Sequence, residues 1–187
     1  MDHYLEIHLL PDPEFSAPML MGALYSKLHR ALATLQSKRI GVSFPEYSRK
    51  PKSLGSVLRI HGDEDALRHL QEMDWQKGMR DHTQASVIQP VPANAQYMVV
   101  QRRQFKTNAE RLRRRRMKRK GESYEQAALA IPDSVERKPE LPFLVLRSQS
   151  SGQAFHLFID QGPSQHERVE GQFNCYGLSQ QATVPSF

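Results

Sequence analysis

The predicted fold rests on residues 5–45, which have the sequence LEIHLLPDPEFSAPMLMGALYSKLHRALATLQSKRIGVSFP. Apolar residues alternate with polar ones over residues 5–9, which predicts a half-buried strand that Pro11 ends. Leucines then recur at helical spacing between Pro18 and Gln36, so this segment is predicted to form an amphipathic helix. Alternation returns over residues 40–44 and predicts a second strand.

The same kind of pattern continues to about residue 90. A third strand is predicted at residues 57–61, a helix capped by Asp63 follows, and a weaker strand is predicted over residues 83–89. The order strand-helix-strand-strand-helix-strand is that of the ferredoxin-like fold, which RNA-recognition modules also adopt. We therefore predict an α+β protein in which residues 1–93 form an N-terminal ferredoxin-like (RRM-like) domain.

Residues 94–187 are predicted to form a C-terminal α+β domain that carries an arginine-rich helix at residues 108–120. Ser123 and Gln126 have the spacing of a capping box and predict a further short helix. Strands are expected at residues 97–105, 143–147, 155–159 and 173–178.

The positive charge of the chain is concentrated in one segment. The net charge is +6, yet residues 102–120 contain eleven lysines and arginines and one acid, Glu110, which gives this segment +10 and leaves −4 elsewhere. Thr107 and Glu110 are expected to form a capping box at the start of the arginine-rich helix, and Gly121 is expected to end it. Such a local field attracts a polyanion, so the candidate partners are nucleic acid and an anionic membrane.

The composition of the arginine-rich helix favours nucleic acid as its partner. A helix that lies on a membrane needs a bulky apolar face, whereas only Ala109, Leu112 and Met117 are apolar here. Binding to nucleic acid is favoured over a cationic face that is merely solvated, and both are favoured over a membrane. Charge alone does not distinguish RNA from DNA.

Other classes of protein are disfavoured by features that the sequence lacks. No apolar run approaches the roughly 20 residues that a membrane-spanning helix needs. The single cysteine, Cys175, has no partner for an internal disulfide, so a cytoplasmic location is expected. The eight histidines are scattered, and no HExxH, CxxC, Walker or GxGxxG motif is present, so neither a metal nor a cofactor is expected.

Several segments along the whole chain resemble the CRISPR-associated endoribonucleases of subtype I-F, the Csy-type enzymes that process CRISPR repeat RNA. The matching segments include Lys27-Leu28-His29, Arg39-Ile40-Gly41-Val42-Ser43-Phe44-Pro45, Glu110-Arg111-Leu112-Arg113-Arg114-Arg115, Leu146-Arg147-Ser148-Gln149-Ser150 and Cys175-Tyr176-Gly177-Leu178-Ser179. The resemblance implies a ferredoxin-like domain followed by a domain with an arginine-rich helix. It also implies a cut at the 3′ base of the repeat hairpin that needs no metal.

The resemblance further implies how the RNA is cut and what happens to the product. A 2′-hydroxyl attacks the adjacent phosphorus and leaves a 2′,3′-cyclic phosphate and a 5′-hydroxyl, a reaction that DNA cannot undergo. The protein is then expected to stay on the mature guide RNA together with other proteins of the type I-F surveillance complex.

By position, the resemblance assigns two sets of residues. The catalytic set consists of His29 as the base, Ser148 to hold the attacking hydroxyl and Tyr176 to order the site, and the residues around Ser148 add Ser150 as a candidate helper without support from the resemblance. The RNA-binding set consists of Arg102, Gln104, Arg114, Arg115, Lys118, Arg119 and Phe155. The charge of the arginine-rich helix adds Arg111 and Lys120 to this set, although Lys120 stands where the family is expected to have histidine. Phe155 is expected to stack under the terminal base pair, while Arg102 and Gln104 share one face of a predicted strand and can pair with purine edges.

Without the resemblance, the catalytic residues have more ordinary interpretations. His29 lies at the edge of the apolar face of its helix, Ser148 lies in a turn, Tyr176 lies in a predicted strand, and Phe155 alternates with core residues. Two other functions therefore stay open. One is a non-catalytic module that binds and assembles on an RNA hairpin, and the other is a DNA-binding protein.

Overall fold

The computed structural model describes residues 1–105, 108–135, 139–148 and 152–187. Its strands are β1 (His3–Leu9), β2 (Gly41–Ser43), β3 (Ser48–Arg49), β4 (Lys52–Ser53), β5 (Val57–Gly62), β6 (Thr83–Ala85), β7 (Gln89–Pro90), β8 (Gln96–Arg103), β9 (Phe143–Arg147), β10 (Ala154–Gln161) and β11 (Thr183–Ser186). Its helices are α1 (Ala17–Leu35), α2 (Glu64–Glu72), α3 (Ala109–Lys120) and α4 (Tyr124–Ala130), with 3-10 turns at Arg80–His82 and Asp133–Val135. The strands pair antiparallel, so the protein belongs to the α+β class.

The chain forms two compact units. The first unit comprises Met1–Arg103 and Leu141–Phe187, and the second unit comprises Gln104–Glu140. Neither border falls between residues 93 and 94, where the sequence analysis divides the chain, and that division stays a prediction. In the described part of the chain, no helix is both long enough and apolar enough to cross a bilayer.

The first sheet of the first unit has the strand order β2-β5-β1-β6, with β7 also paired to β1. Its elements follow the strand-helix-strand-strand-helix-strand order that the hydrophobic pattern predicts. Asp63 caps α2 as expected, because its carboxylate accepts a hydrogen bond of 2.9 Å from the backbone N–H of Ala66. The hairpin β3–β4 was not predicted from the sequence, since strands of two residues leave no periodicity to detect.

One histidine of this sheet is fully buried. His61 on β5 lies with Nε2 2.8 Å from the Ser43 hydroxyl on β2, and its Nδ1 has no hydrogen-bond partner among the described residues. Burial lowers the pKa of His61 to about 3, with a smaller contribution from the Arg59 charge. The ring is therefore neutral at physiological pH.

The second sheet of the first unit has the order β11-β8-β10-β9, and α1 packs against its edge strand β9. The contact is close because Gly22 faces the strand: a Cβ atom added there would lie 2.9 Å from the Val145 carbonyl oxygen. This packing brings the middle of α1 next to the end of β9, which matters for the candidate site.

The strand predicted at residues 173–178 is wrong, since the last strand is β11 at Thr183–Ser186. Asn174 instead folds the segment into a turn, in which its side-chain oxygen accepts from the Tyr176 N–H at 2.8 Å and its carbonyl accepts from the Gly177 N–H at 2.8 Å. Gly177 has φ of +68°, which a strand does not use. The burial of Phe173 and Leu178 produced the misleading apolar pattern.

The start of α3 also differs from the prediction. Asn108 is the N-cap, and its side-chain oxygen accepts from the Arg111 N–H at 2.6 Å, whereas the sequence analysis expected Thr107 to cap the helix. Asn is at least as good an N-cap as Thr, and Thr107 itself lies outside the described residues. Gly121 ends α3 in a left-handed conformation, as predicted, and the Ser123–Gln126 capping box is present.

Candidate functional site

Four of the predicted site residues line one cleft of the first unit. His29 comes from α1, Ser148 follows β9, Phe155 belongs to β10, and Tyr176 lies in the turn before β11. The cleft has a volume of about 510 Å³, and its other lining residues are Ser26, Arg30, Leu146 and Arg147. Residues that are more than a hundred positions apart in the sequence are thus brought together.

The geometry around His29 fixes the position of its proton. Its ring stacks on that of Tyr176 with centroids 3.9 Å apart and planes inclined by 6°. Its Nδ1 lies 2.9 Å from the carbonyl oxygen of Cys175. A carbonyl oxygen only accepts hydrogen bonds, so Nδ1 carries the hydrogen and donates it. In the neutral ring Nε2 is therefore the unprotonated nitrogen, which is the form that a general base requires.

The turn that contacts His29 is held from the protein interior. Tyr25 on α1 is fully buried, and its hydroxyl donates a hydrogen bond of 2.6 Å to the carbonyl oxygen of Tyr176. Burial raises the pKa of Tyr25 well above its usual value, so this hydroxyl stays protonated and remains a donor. On the other side, the Val42 N–H donates to the Gly177 carbonyl at 3.0 Å. The sequence analysis missed Tyr25, because it resembles any other core residue of an amphipathic helix.

Partial burial also affects Tyr176 itself. It raises the pKa of the Tyr176 hydroxyl, and the neighbouring Cys175 adds to the shift while Arg102 opposes it. The phenol is thus neutral near physiological pH. Tyr176 can orient the imidazole of His29 by stacking, but a neutral phenol with a raised pKa is a poor source of protons or of negative charge.

Ser148 occupies a fixed position at the end of β9. Its N–H donates to the Gln153 carbonyl at 2.9 Å, and its carbonyl accepts from the Gly152 N–H at 2.8 Å, so the backbone closes the turn towards β10. This agrees with the turn chemistry predicted from the sequence, and it places the residue at the wall of the cleft. Ser150, the other predicted serine, lies outside the described residues.

Arg102 lies close to Phe155 on the neighbouring strand. Its guanidinium carbon is 5.9 Å from the centroid of the Phe155 ring. Its Nε is buried and has no hydrogen-bond partner among the described residues. Because buried donors in folded proteins are nearly always satisfied, this N–H is suited to a partner other than the described residues.

The sequence analysis expected Gln104 to share a strand face with Arg102, and this prediction is wrong. The strand β8 ends at Arg103, one residue before Gln104, whereas the prediction extended it to residue 105. Gln104 is exposed and begins the second unit, so the alternation of a strand does not relate the two side chains.

The arginine-rich helix α3 exposes the cations that the sequence analysis assigned to RNA. The six exposed residues are Arg111, Arg114, Arg115, Lys118, Arg119 and Lys120. Among the described residues, only Arg114 and Lys120 of these six have an acidic group within 4.0 Å, at Glu110 and Glu122 respectively.

The two remaining arginines of α3 hold the second unit together. Arg113 is buried, and it donates to the Ile131 carbonyl at 2.8 Å and to the Asp133 carboxylate at 2.7 Å. Arg116 makes two contacts with the Glu122 carboxylate, at 2.5 and 3.1 Å. The run of arginines therefore divides into a structural pair and an exposed set, which the charge pattern alone does not reveal.

A metal site is not formed by the described residues. No group of three His, Cys, Asp or Glu side chains within residues 1–105, 108–135, 139–148 and 152–187 is placed to hold an ion. The side chains that line the cleft supply an imidazole base, three hydroxyl groups and two guanidinium groups.

Comparison with known proteins extends over the whole chain. Residues 4–187 match the family of CRISPR-associated proteins described as Cas_Csy4. A CRISPR-associated endonuclease Cas6/Csy4 of Pseudomonas aeruginosa (strain UCBPP-PA14) is 51% identical over 187 residues, which is 100% of both chains. A protein of the same name from Escherichia coli (strain UTI89 / UPEC) is 47% identical, again over 100% of both chains.

Proposed function

The chain belongs to the CRISPR-associated Csy4 family, as its resemblance to subtype I-F enzymes predicted. We propose that it is an endoribonuclease that binds the CRISPR repeat hairpin and cuts it at the 3′ base of the stem without a metal. The observation that carries this proposal is the hydrogen bond from His29 Nδ1 to the Cys175 carbonyl. It leaves Nε2 of a ring that lines the cleft as the free base.

In the proposed reaction, Nε2 of His29 takes the proton of the ribose 2′-hydroxyl at the cut. The 2′-oxygen then forms a bond to the adjacent phosphorus, and the bond from phosphorus to the 5′-oxygen breaks. The products are a 2′,3′-cyclic phosphate and a 5′-hydroxyl, and the proton taken up by His29 balances the one that the departing 5′-oxygen acquires. Ser148 holds the 2′-hydroxyl in line with the phosphorus, which is a positioning effect, and we keep Ser150 as its helper.

The negative charge that develops on the phosphate needs a cation nearby. His29 before proton transfer, Ser148 and Tyr176 supply no positive charge, whereas the guanidinium groups of Arg30 and Arg147, which both line the cleft, do. We propose that these two guanidiniums stabilise the charge that the phosphate gains in the transition state. Neither residue was singled out from the sequence.

RNA binding is proposed to divide between two groups of residues. The six exposed cations of α3 contact phosphates, because side chains rarely read bases in the deep and narrow major groove of A-form RNA. Arg102 and Gln104 contact base edges near the foot of the hairpin, and Phe155 stacks under its terminal base pair. The buried Nε of Arg102, which finds no acceptor among the residues that the structure describes, supports this assignment, because a base or phosphate oxygen would satisfy it.

Further parts of the proposal concern the domains and the setting. We propose that residues 1–93 form a ferredoxin-like domain, which the strand order β2-β5-β1-β6 supports, and that residues 94–187 form the RNA-binding domain. We also propose that the protein stays on the mature guide RNA, in the cytoplasm, together with other proteins of the type I-F surveillance complex.

The reaction can be tested directly with purified protein and a hairpin repeat RNA in excess EDTA. We expect one cut at the 3′ foot of the stem and a cyclic phosphate on the upstream product. An RNA that binds but stays intact under these conditions, and is cut only when a divalent metal is added, would contradict the proposed mechanism.

A His29→Ala variant separates the enzyme from the alternative of a non-catalytic hairpin-binding module. We expect it to bind the hairpin with unchanged affinity and to lose cleavage, while a His69→Ala control on the exposed face of α2 cuts normally. Cleavage by His29→Ala at the rate of this control would remove His29 from the mechanism.

A further inference from the structure

The outer face of the sheet β11-β8-β10-β9 carries a group of apolar and aromatic side chains that are exposed or partly exposed. Pleating directs Phe143 and Val145 of β9 to this face, and it directs His156 and Phe158 of β10 to the same face. The four residues form two cross-strand pairs, Phe143 with Phe158 and Val145 with His156. Their neighbours in the sequence, Leu144, Leu146, Leu157 and Ile159, point into the core and are buried. We call the four residues the aromatic face.

The aromatic rings of this face are arranged against one another. The ring centroids of Phe143 and His156 are 4.3 Å apart with planes inclined by 29°, and those of Phe143 and Phe158 are 5.4 Å apart at 61°. Even so, Phe143 remains 40% exposed and Val145 remains 53% exposed. Exposed apolar side chains that adjoin one another commonly mark a surface that binds a partner.

Positive charge flanks the aromatic face on two sides. Asp160, which is buried, holds the guanidiniums of Arg49 and Arg103 at 2.6 and 2.9 Å, and more than half of each arginine side chain stays exposed. Arg103 pairs with Phe158 across the strands β8 and β10. At the other end, Arg147 follows Phe143 and Val145 on the same face of β9. The Asp160 carboxylate thus orients the guanidiniums of Arg49 and Arg103, and the three side chains together keep a net positive charge beside the aromatic face.

We propose that the aromatic face binds the unpaired RNA immediately 3′ of the cut, which deepens the function proposed above and rests on it. Arg147 lines the cleft and also follows the aromatic face at the end of β9, so RNA that leaves the cleft passes Arg147 first. The strand downstream of the cut begins at the phosphate that undergoes the reaction, whereas the strand upstream of it is paired in the stem. Its bases stack on the rings of Phe143, His156 and Phe158, and Arg49 and Arg103 contact its phosphates.

The chemistry of the face favours RNA over a second protein. The strand β9 extends over only about 13 Å from Phe143 to Arg147, given the rise per residue of a β-strand. This length suits a few nucleotides and is small for a protein interface. Arginines around exposed aromatic rings are the usual elements of surfaces that bind single strands without reading their sequence. A protein partner would use the same rings without needing phosphate contacts.

The test measures binding of the full chain to hairpin RNAs whose attacking 2′-hydroxyl is replaced by hydrogen, so that no cut occurs. One RNA ends at the cut site, a second continues for about six unpaired nucleotides in the 3′ direction, and a third carries the same extension at the 5′ end. We expect the 3′ extension to lower Kd about tenfold, equivalent to about 1.4 kcal/mol, and the 5′ extension to have little effect.

A double variant Phe143→Leu/His156→Leu should lose the gain from the 3′ extension while its affinity for the blunt hairpin stays the same. Phe15→Leu is the matched control, because Phe15 is 41% exposed and its ring contacts that of His82 rather than the aromatic face. A 2-aminopurine base in the extension should be quenched by stacking on the wild type and not on the double variant, and the unchanged Kd for the blunt hairpin shows that the variant is folded.

The possible outcomes separate the two proposals. If the blunt hairpin binds and the 3′ extension adds nothing, the aromatic face is not an RNA site and the proposed function stands. If no hairpin binds, both proposals fail. If the extension adds nothing and the wild type forms dimers that the double variant does not, a second copy of the chain is the occupant and the inference is wrong.

Discussion

Replacing Tyr25 with phenylalanine tests how the candidate active site is held in place. The substitution removes a hydroxyl and keeps the buried ring, so the core stays filled while the Tyr176 carbonyl loses a donor at 2.6 Å. Leaving a buried acceptor unsatisfied costs about 1–3 kcal/mol. The substitution therefore destabilises the turn at residues 174–177. The turn keeps its other contacts to the core, such as the hydrogen bond from the Val42 N–H, so we expect it to remain folded.

The consequence for catalysis follows from the two contacts of His29 with the turn. Both the Cys175 carbonyl and the Tyr176 ring position the imidazole, so a turn that is less stable by about 1–3 kcal/mol holds the base correctly for a smaller fraction of the time. We expect the single-turnover rate of cleavage to fall about tenfold, which corresponds to roughly 1.4 kcal/mol. Because Tyr25 is remote from α3 in the sequence and lies in the other unit, the Kd for the hairpin should not change.

The assay is single-turnover cleavage of the hairpin at saturating enzyme, with Kd measured on uncuttable RNA. Tyr4→Phe is the matched control, since its hydroxyl bonds to the exposed Gln89 side chain at 3.0 Å and has no connection to the turn. The pH dependence of the rate should keep its shape, because the Cys175 carbonyl still selects the tautomer of His29. If Tyr25→Phe cuts at the same rate as Tyr4→Phe, the turn does not depend on this hydrogen bond and the reasoning is refuted.

Four further predictions follow from particular contacts. Cys175→Ala should cut at the wild-type rate, because His29 uses the backbone carbonyl of residue 175, and a large loss in the same cleavage assay would show that the thiol takes part. The pKa of His61 is about 3 in the folded protein and near 6.5 in the unfolded chain, so between these pH values the unfolded chain binds one more proton and the free energy of unfolding falls as the pH drops. Urea unfolding should show that this free energy is about 2 kcal/mol lower at pH 5 than at pH 7, and the difference should be absent in a variant without this histidine. Arg115→Gln should weaken hairpin binding and lower the slope of log Kd against log salt by about 1 with no change in stability, whereas Arg116→Gln should lower the melting temperature of the protein. Equal effects of the two variants on stability would contradict the division of the α3 arginines into a structural pair and an exposed set. Arg147→Gln should reduce the cleavage rate about a hundredfold at saturating enzyme with little change in hairpin Kd, and an effect confined to Kd would show that it binds RNA without stabilising the transition state.

The sequence predicts well those elements whose cause is local. The helix α1 and the strand β9 lie within one residue of their predicted ends, because periodic burial of apolar residues determines both. Asp63 was identified as a cap because a capping residue bonds to a backbone group only three positions away. His29 lies at the edge of the buried face of α1, where the spacing of the leucines places it.

Elements with distant causes were predicted poorly or not at all. The turn at residues 174–177 was taken for a strand, because the hydrogen bonds of Asn174 compete with the apolar pattern around it. Arg113 looks like its neighbours in sequence, and only the fold brings Asp133 and the Ile131 carbonyl to it. The grouping of His29, Ser148 and Tyr176 required the family resemblance, since no spacing rule connects residues on a helix, after a strand and in a later turn.

The division of the arginines in α3 explains how a helix with so much positive charge can exist before RNA arrives. Like charges three and four residues apart destabilise a helix by about 0.2–0.5 kcal/mol for each pair. Arg113 and Arg116 offset this repulsion, because each is neutralised by a carboxylate outside the helix, and Arg113 also bonds to the residue that follows α4. The second unit is thereby stabilised by two cations of the same run whose other members repel one another. If the six exposed cations bind RNA as proposed, they need no folding step on binding, and the free energy of their contacts with phosphates goes into affinity rather than into ordering the helix.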